Sequence, residues 1–258
     1  MLKIGIFVIS VPDDLAIRQN DLPHYEWSID NLENRFEFSR DCLKEVYKDT
    51  QNAFFSVNYH FIACDRNKFK SDEWDDECID CEESYFTGIY EKTYKAFKHY
   101  GDYDFYVRTN LSTYINYVKL YNKLKELDTK KPILTGTLWG NEYYLTAWGA
   151  DFVYASGTSI VMNKLARDFF VEEGAGYVGH SEADDALITK IFYDSNNGFY
   201  FHEGLSNSYY HGWDWDKAFH FNFNDILKEN YIFIRLKENL DSVKFKYTLG
   251  MLNKLIHK

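Results

Sequence analysis

The chain has 258 residues, 45% of them hydrophobic and 27% charged; it is apolar enough to bury a core and too ordinary in charge to be read as disordered. Forty acidic against 29 basic residues give a net charge of −11, which repels phosphate backbones and argues against a nucleic-acid partner. No run of about 18 apolar residues occurs, so no membrane span is expected.

The opening stretch, Met1 to Ser10, is apolar but too short for a leader, lacks a small-residue cleavage site and is rich in β-branched residues. It reads as a buried first strand, Ile4 to Ser10, followed by a turn at Val11-Pro12-Asp13-Asp14. With neither leader nor anchor, a cytoplasmic or virion-associated protein is expected. Helical spacing of apolar residues places a helix over Phe36 to Tyr47, and Phe54 to Asp65 reads as a second buried strand. The acidic stretch Asp72 to Glu83 reads as a solvated loop. A helix over Ile89 to Lys98, a third strand over Tyr103 to Thr109 and a helix over Ile115 to Leu127 come next.

Pro132 to Thr137 is a fourth strand. Asp151 to Met162 gives strand and turn, leading into a helix over Lys164 to Glu172. A helix over Glu182 to Tyr193 and a late strand over Tyr231 to Leu236 complete the reading. Strands alternating with helices predict an α/β fold in which a mostly parallel central sheet is flanked by helices. With no repeat and no Pro/Gly/Ser-rich linker, residues 1–258 are expected to form one domain.

Aromatic residues make up 19% of the chain, which fits either a compositional bias or stacking surface for sugar rings and bases. Of the four cysteines, Cys42, Cys64, Cys78 and Cys81, the last two have the spacing of a metal knuckle, but the second pair of a zinc site is missing. Incidental reduced thiols are expected.

Ligands of open α/β sheets sit beyond the carboxyl ends of the strands, which points to Ser10, Asp65 and the segment Arg108 to Tyr114. Asp65 either takes a ribose or base hydrogen bond or caps its turn. Asp102-Tyr103-Asp104 is a literal Asp-x-Asp, but it lies at the start of its strand, where a capping or turn role is expected.

The segment Asp104 to Asn116, containing Arg108-Thr109-Asn110-Leu111-Ser112-Thr113-Tyr114, resembles the metal-motif region of fringe and β-1,3-galactosyltransferase-like enzymes. Phe152 to Met162, with Tyr154-Ala155-Ser156-Gly157, resembles their acceptor-side segment, and Glu182-Ala183-Asp184-Asp185 their Glu-Asp helix start. Phe199-Tyr200-Phe201-His202 is similar to their late strand and histidine, and Ala16-Ile17-Arg18 to an early run. These pieces lie in order over residues 1–210. The resemblance implies a GT-A (Rossmann-like) fold and an enzyme, a hexosyltransferase. It would move sugar from a nucleotide-sugar donor, UDP-linked, to a hydroxyl of a glycan or glycoprotein acceptor, inverting the anomeric centre.

One departure matters. The acidic triplet of those enzymes is replaced by Asn110-Leu111-Ser112. Hard divalent cations want charged oxygens, so Mn²⁺ or Mg²⁺ is expected to bind weakly, with Asn110, Ser112 and His202 the remaining candidate ligands, or not to be needed. Positive side chains would then meet the donor diphosphate: Arg235 and Lys237, which share one strand face, and Arg108, which alternatively serves as a structural partner. Asp185 is expected to be the base and Asp184 the runner-up. Ser10, Asp65, Asn110 and Ser112 complete the donor-side set. Trp139, Trp148, Ser156 and Gly157 are expected on the acceptor side, where Trp139, Tyr143, Tyr144 and Trp148 either stack on sugar or pack ordinarily. The alternative function is a catalytically silent nucleotide- or sugar-binding protein on the same fold.

Overall fold

In β1 (Leu2–Ile9) successive side chains leave on opposite faces, and both sets are apolar. Ile4, Ile6 and Val8 enter one buried cluster while Phe7 and Ile9 enter another. A strand with two apolar faces belongs in the middle of a sheet covered on both sides, and that is where it lies. The computed structural model describes residues 1–9, 35–47, 55–64, 77–81, 87–111, 113–139, 152–195, 200–201, 205, 208–210, 231–235 and 249–254.

Within these, β2 (Phe55–Cys64) and β4 (Phe105–Asn110) flank β1, both parallel to it, and β3 (Glu77–Ile79) adds parallel to β2. Beyond β4 come β9 (Ile160–Asn163), antiparallel to its neighbours, then β6 (Ile133–Thr135) and β10 (Tyr200–Phe201). The seven-stranded order is β10-β6-β9-β4-β1-β2-β3. The helices are α1 (Arg35–Tyr47), α2 (Thr87–His99), α3 (Tyr117–Leu124), α4 (Lys164–Glu173) and α5 (Asp184–Asp194). One face of the sheet packs on α1 and α3 through Leu43, Tyr47, Leu120 and Leu124. The other packs on α2, α4 and α5 through Phe97, Phe170, Leu187 and Ile191. The expected α/β fold, a mostly parallel sheet flanked by helices, is the observed one.

Two small sheets sit beside it. The first joins β5 (Thr113–Ile115), β12 (Phe233–Arg235) and β11 (Ser208–Tyr210); the second pairs β7 (Leu138–Trp139) with β8 (Tyr154–Ala155).

Three sequence expectations need correction. The acidic stretch is not all loop: Glu77–Ile79 is an edge strand, and its charge discourages pairing with a further strand. The helix expected from Ile115 starts at Tyr117, because Thr113–Ile115 pairs with β12 and Asn116 caps the helix by accepting from the Lys119 N–H at 3.1 Å. The thiols are not all reduced: Cys81 is disulfide-bonded, whereas Cys42 is a buried free thiol. The early Asp-x-Asp, expected to cap or turn, holds the neighbouring strand through Lys3. Asp104 accepts from the Lys3 N–H at 2.7 Å and Asp102 pairs with the Lys3 ammonium at 3.2 Å, both at the amino edge of the sheet. Among the described residues no helix is long and apolar enough to cross a membrane.

Candidate active site

The order β3-β2-β1-β4 means that the chain leaves β1 to one side and returns to the other. The carboxyl ends of β1 and β4 therefore flank a topological switch point, where open α/β sheets leave a crevice for ligands. Ile9 and Asn110 end these strands side by side.

Along β4, Arg108 and Asn110 are two residues apart and project to the α5 side of the sheet. The start of α5 meets them. Arg108 Nη2 lies 2.5 Å from Asp184 Oδ2, in a pair whose side chains are only 5% and 13% exposed. Arg108 Nη1 donates to the Gly157 carbonyl, and the Gly157 N–H donates to Asp185 Oδ2 at 2.9 Å. A Cβ on residue 157 would overlap the Arg108 guanidinium as it is placed, so a larger residue there would displace Arg108. Asp185 also receives the Ala186 N–H at 2.8 Å. This satisfies a free helix-start donor that Ala183, with no side-chain oxygen, leaves open. Burial pushes the Asp184 carboxyl up to about 6; Arg108 pulls against that shift and the neighbouring Asp185 charge adds to it.

The loop that carries Gly157 is held firmly. Ser156 is buried and shares its hydroxyl with Thr158 at 3.1 Å; Thr109 donates to the Thr158 carbonyl at 2.8 Å; Ser159 donates to the Thr137 hydroxyl at 2.9 Å. Thr189 ties α5 to β8 by accepting from the Ala155 N–H and donating to the Asp185 carbonyl, each at 3.1 Å. These bonds tie the loop to β4 and α5; among the described residues Arg108 Nε and Asp184 Oδ2 are buried without a hydrogen-bond partner, and Asp184 meets Arg108 through the ion pair.

Asn110 accepts the Thr113 hydroxyl at 2.8 Å. Thr113 stands opposite Arg235 in the β5–β12 ladder, and directly opposed residues of an antiparallel pair share a face, about 5 Å apart at Cβ. Arg235 is half-buried, and among the described residues its Nε has no hydrogen-bond partner. Trp139 faces Tyr154 across the β7–β8 ladder and packs on a small cluster with Phe152 and Ala186.

The structure thus gathers Arg108, Asn110, Gly157, Asp184 and Asp185 around the carboxyl end of β4, with Ser156 and Arg235 on adjoining elements. Ser10, Asp65, Ser112, Trp148, His202 and Lys237 lie outside the described residues, as do Tyr143 and Tyr144. Thr109, Thr113 and Thr158 were not assigned roles of their own from the sequence, although Thr109 and Thr113 lie within the segment Arg108 to Tyr114 and Thr158 follows Gly157. Among the described residues no three His, Cys, Asp or Glu side chains come together as a metal site. Asn110 offers an uncharged amide oxygen that accepts from Thr113, and Asp184 is paired with Arg108; the other candidate ligands, Ser112 and His202, lie outside the described residues.

No protein-family model matches the sequence, and no curated protein matches it. Among solved structures, the chain is similar to galactosyltransferase LgtC in complex with donor and acceptor sugar analogs. The TM-score is 0.48 at 11% identity, over 99% of this chain and 95% of that one. An active-site mutant of LgtC gives a TM-score of 0.47 at 11% identity, over 97% and 96%. A likeness this shallow assigns neither an activity nor a ligand; the α/β architecture stands on the chain's own strand order and register.

Proposed function

We propose that residues 1–258 act as one GT-A glycosyltransferase domain. It takes a sugar from a nucleotide donor, UDP-linked, and passes it to a hydroxyl of a glycan or glycoprotein. The observation that carries this reading is the arrival of two adjacent carboxylates, Asp184 and Asp185, at the carboxyl end of β4 beside the switch point. They come on the motifs that resemble sugar transferases.

In this reading Asp185 takes the acceptor hydroxyl's proton as that oxygen attacks the anomeric carbon from the face opposite the diphosphate. The bond from the anomeric carbon to the diphosphate oxygen breaks, and its electron pair leaves with the nucleotide. Arg235, with Lys237 two residues on in the sequence, meets the diphosphate charge, and Trp139 offers a ring face to the acceptor. Asn110 in place of a carboxylate supports a weak or dispensable cation, and no step is routed through one. Of the two expected locations, the Cys81 disulfide favours the virion-associated one over the cytosol, where thiols are kept reduced.

Asn110, in place of a carboxylate, favours one second reading: a silent nucleotide- or sugar-binding protein. Purified protein incubated with a panel of nucleotide sugars and glycan acceptors separates them. Release of free nucleoside diphosphate supports the enzyme, binding without release supports the silent protein, and neither result leaves both readings without support.

A further inference from the structure

Arg108 is one of the largest charged groups in the buried half of the site, and its geometry does not suit a ligand for phosphate. It is 5% exposed on the side chain, one guanidinium nitrogen faces Asp184 and the other donates to the Gly157 carbonyl. We infer that Arg108 is the positioning residue of the Asp184–Asp185 pair: it clamps Asp184 directly and, through the Gly157 peptide, fixes the direction of Asp185.

The four groups close a ring. Arg108 holds Asp184 and the Gly157 oxygen; the same Gly157 peptide turns its N–H to Asp185; and Asp184 and Asp185 are joined through the backbone of α5. A planar fork suits this task because its donors are fixed relative to one another, where a lysine offers a single point charge. With the peptide between guanidinium and carboxylate, a side chain on residue 157 would push the Arg108 guanidinium out of its place. The charged groups facing Asp184 are Arg108 from β4 and Asp185 on its own helix, and His180 and Glu182 pair with each other at 3.6 Å just before that helix.

The clamp deepens the proposed function and rests on it for the word base, but the ring can be tested without turnover. Carboxyl carbons of ¹³C-labelled aspartate are followed by NMR through a pH titration in wild type, Arg108→Lys and Arg108→Gln, and nucleotide-sugar binding is measured by calorimetry in each. Losing the guanidinium removes the group that holds Asp184 down. The Asp184 midpoint should therefore rise in Arg108→Gln, with the Asp185 resonance moving too, while nucleotide affinity stays within about twofold. Where turnover is present, kcat should fall about tenfold or more in Arg108→Lys with KM for the donor nearly unchanged, and the acid limb of the pH profile should move up in Arg108→Gln. Unmoved carboxyl resonances in the folded Arg108→Lys and Arg108→Gln proteins overturn the clamp. Tenfold weaker nucleotide binding with unmoved resonances makes Arg108 a phosphate ligand instead. A wild type with no turnover but a shifted Asp184 in Arg108→Gln overturns the transferase reading and leaves the clamp standing.

Discussion

The Thr113 hydroxyl donates to the Asn110 side-chain oxygen across 2.8 Å, closing the short link between β4 and β5. Asn110 offers a neutral amide oxygen there, a weak ligand for a hard divalent cation. Substantial activity should therefore survive a chelator. A metal titration checks this: complete loss of turnover with EDTA, restored by Mn²⁺, would show that the donor phosphates and the residues outside the described set still hold a cation.

Asp185 takes two backbone N–H groups, one from Gly157 and one from Ala186, which fix its carboxylate. Asp185→Asn keeps the size and one acceptor oxygen and loses the base. Turnover should fall by about a hundredfold or more, the scale of a lost general base, with donor affinity nearly intact. If Asp184→Asn is the dead variant and Asp185→Asn turns over normally, the role belongs to Asp184.

Arg235 stands opposite Thr113, on the small sheet beside the end of β4. Arg235→Ala should weaken nucleotide-sugar binding by about 1.5–3 kcal/mol, the range for hydrogen bonds to a charged group. Arg235→Lys should recover part of that, since a point charge replaces the fork. Calorimetry with parallel melting curves decides: a lower melting temperature at unchanged affinity makes Arg235 a structural residue.

The Asp184 carboxyl, pushed up by burial to about 6, gives a signed prediction for stability. A carboxyl that holds its proton more tightly when folded favours the fold at low pH. That contribution is complete below about pH 4, the unfolded value, and fades as pH rises through 6. Relative to Asp184→Asn, the wild type should lose on the order of 3 kcal/mol between those values, taking about 1.4 kcal/mol per pH unit. Thermal melts of both proteins from pH 4 to 7 measure it. Parallel curves would mean that Arg108 fully offsets the burial.

The strands and helices were legible because β1 is apolar on both faces, β2 carries an apolar row at Phe55, Val57, Tyr59 and Phe61, β4 opens on Phe105-Tyr106-Val107, and the helices carry apolar stripes between polar ones. The acidic helix start at Asp184 and Asp185 was legible too, since two carboxylates exceed what a cap requires. The partner of Arg108 was not. Nothing local links residue 108 to residues 157 and 184; they meet because β9 pairs antiparallel with β4 and returns the chain to the same edge. The strand at Glu77–Ile79 was hidden by its charge, and β5 by the helix-like run that follows it. Arg235 shows the limit from the other side: same-face spacing with Lys237 suggested a charge pair, but only the ladder with Thr113 places Arg235 beside the site.

β9 also bears on how the chain assembles. It lies between β4 and β6 in space and follows both in sequence. During synthesis β1, β2 and β4 are available for pairing while the other edge of β4 waits for a strand not yet made. Until Asn163 has emerged, that edge is an open template of unpaired N–H and C=O groups, the kind of surface on which nascent chains stick to one another. The corner built from Arg108 on the waiting edge and from residues made after β9 or just before it is among the last of the described parts to close. Slowing elongation after β4 should thus lengthen exposure to aggregation, whereas a delay after β9 should leave that edge protected.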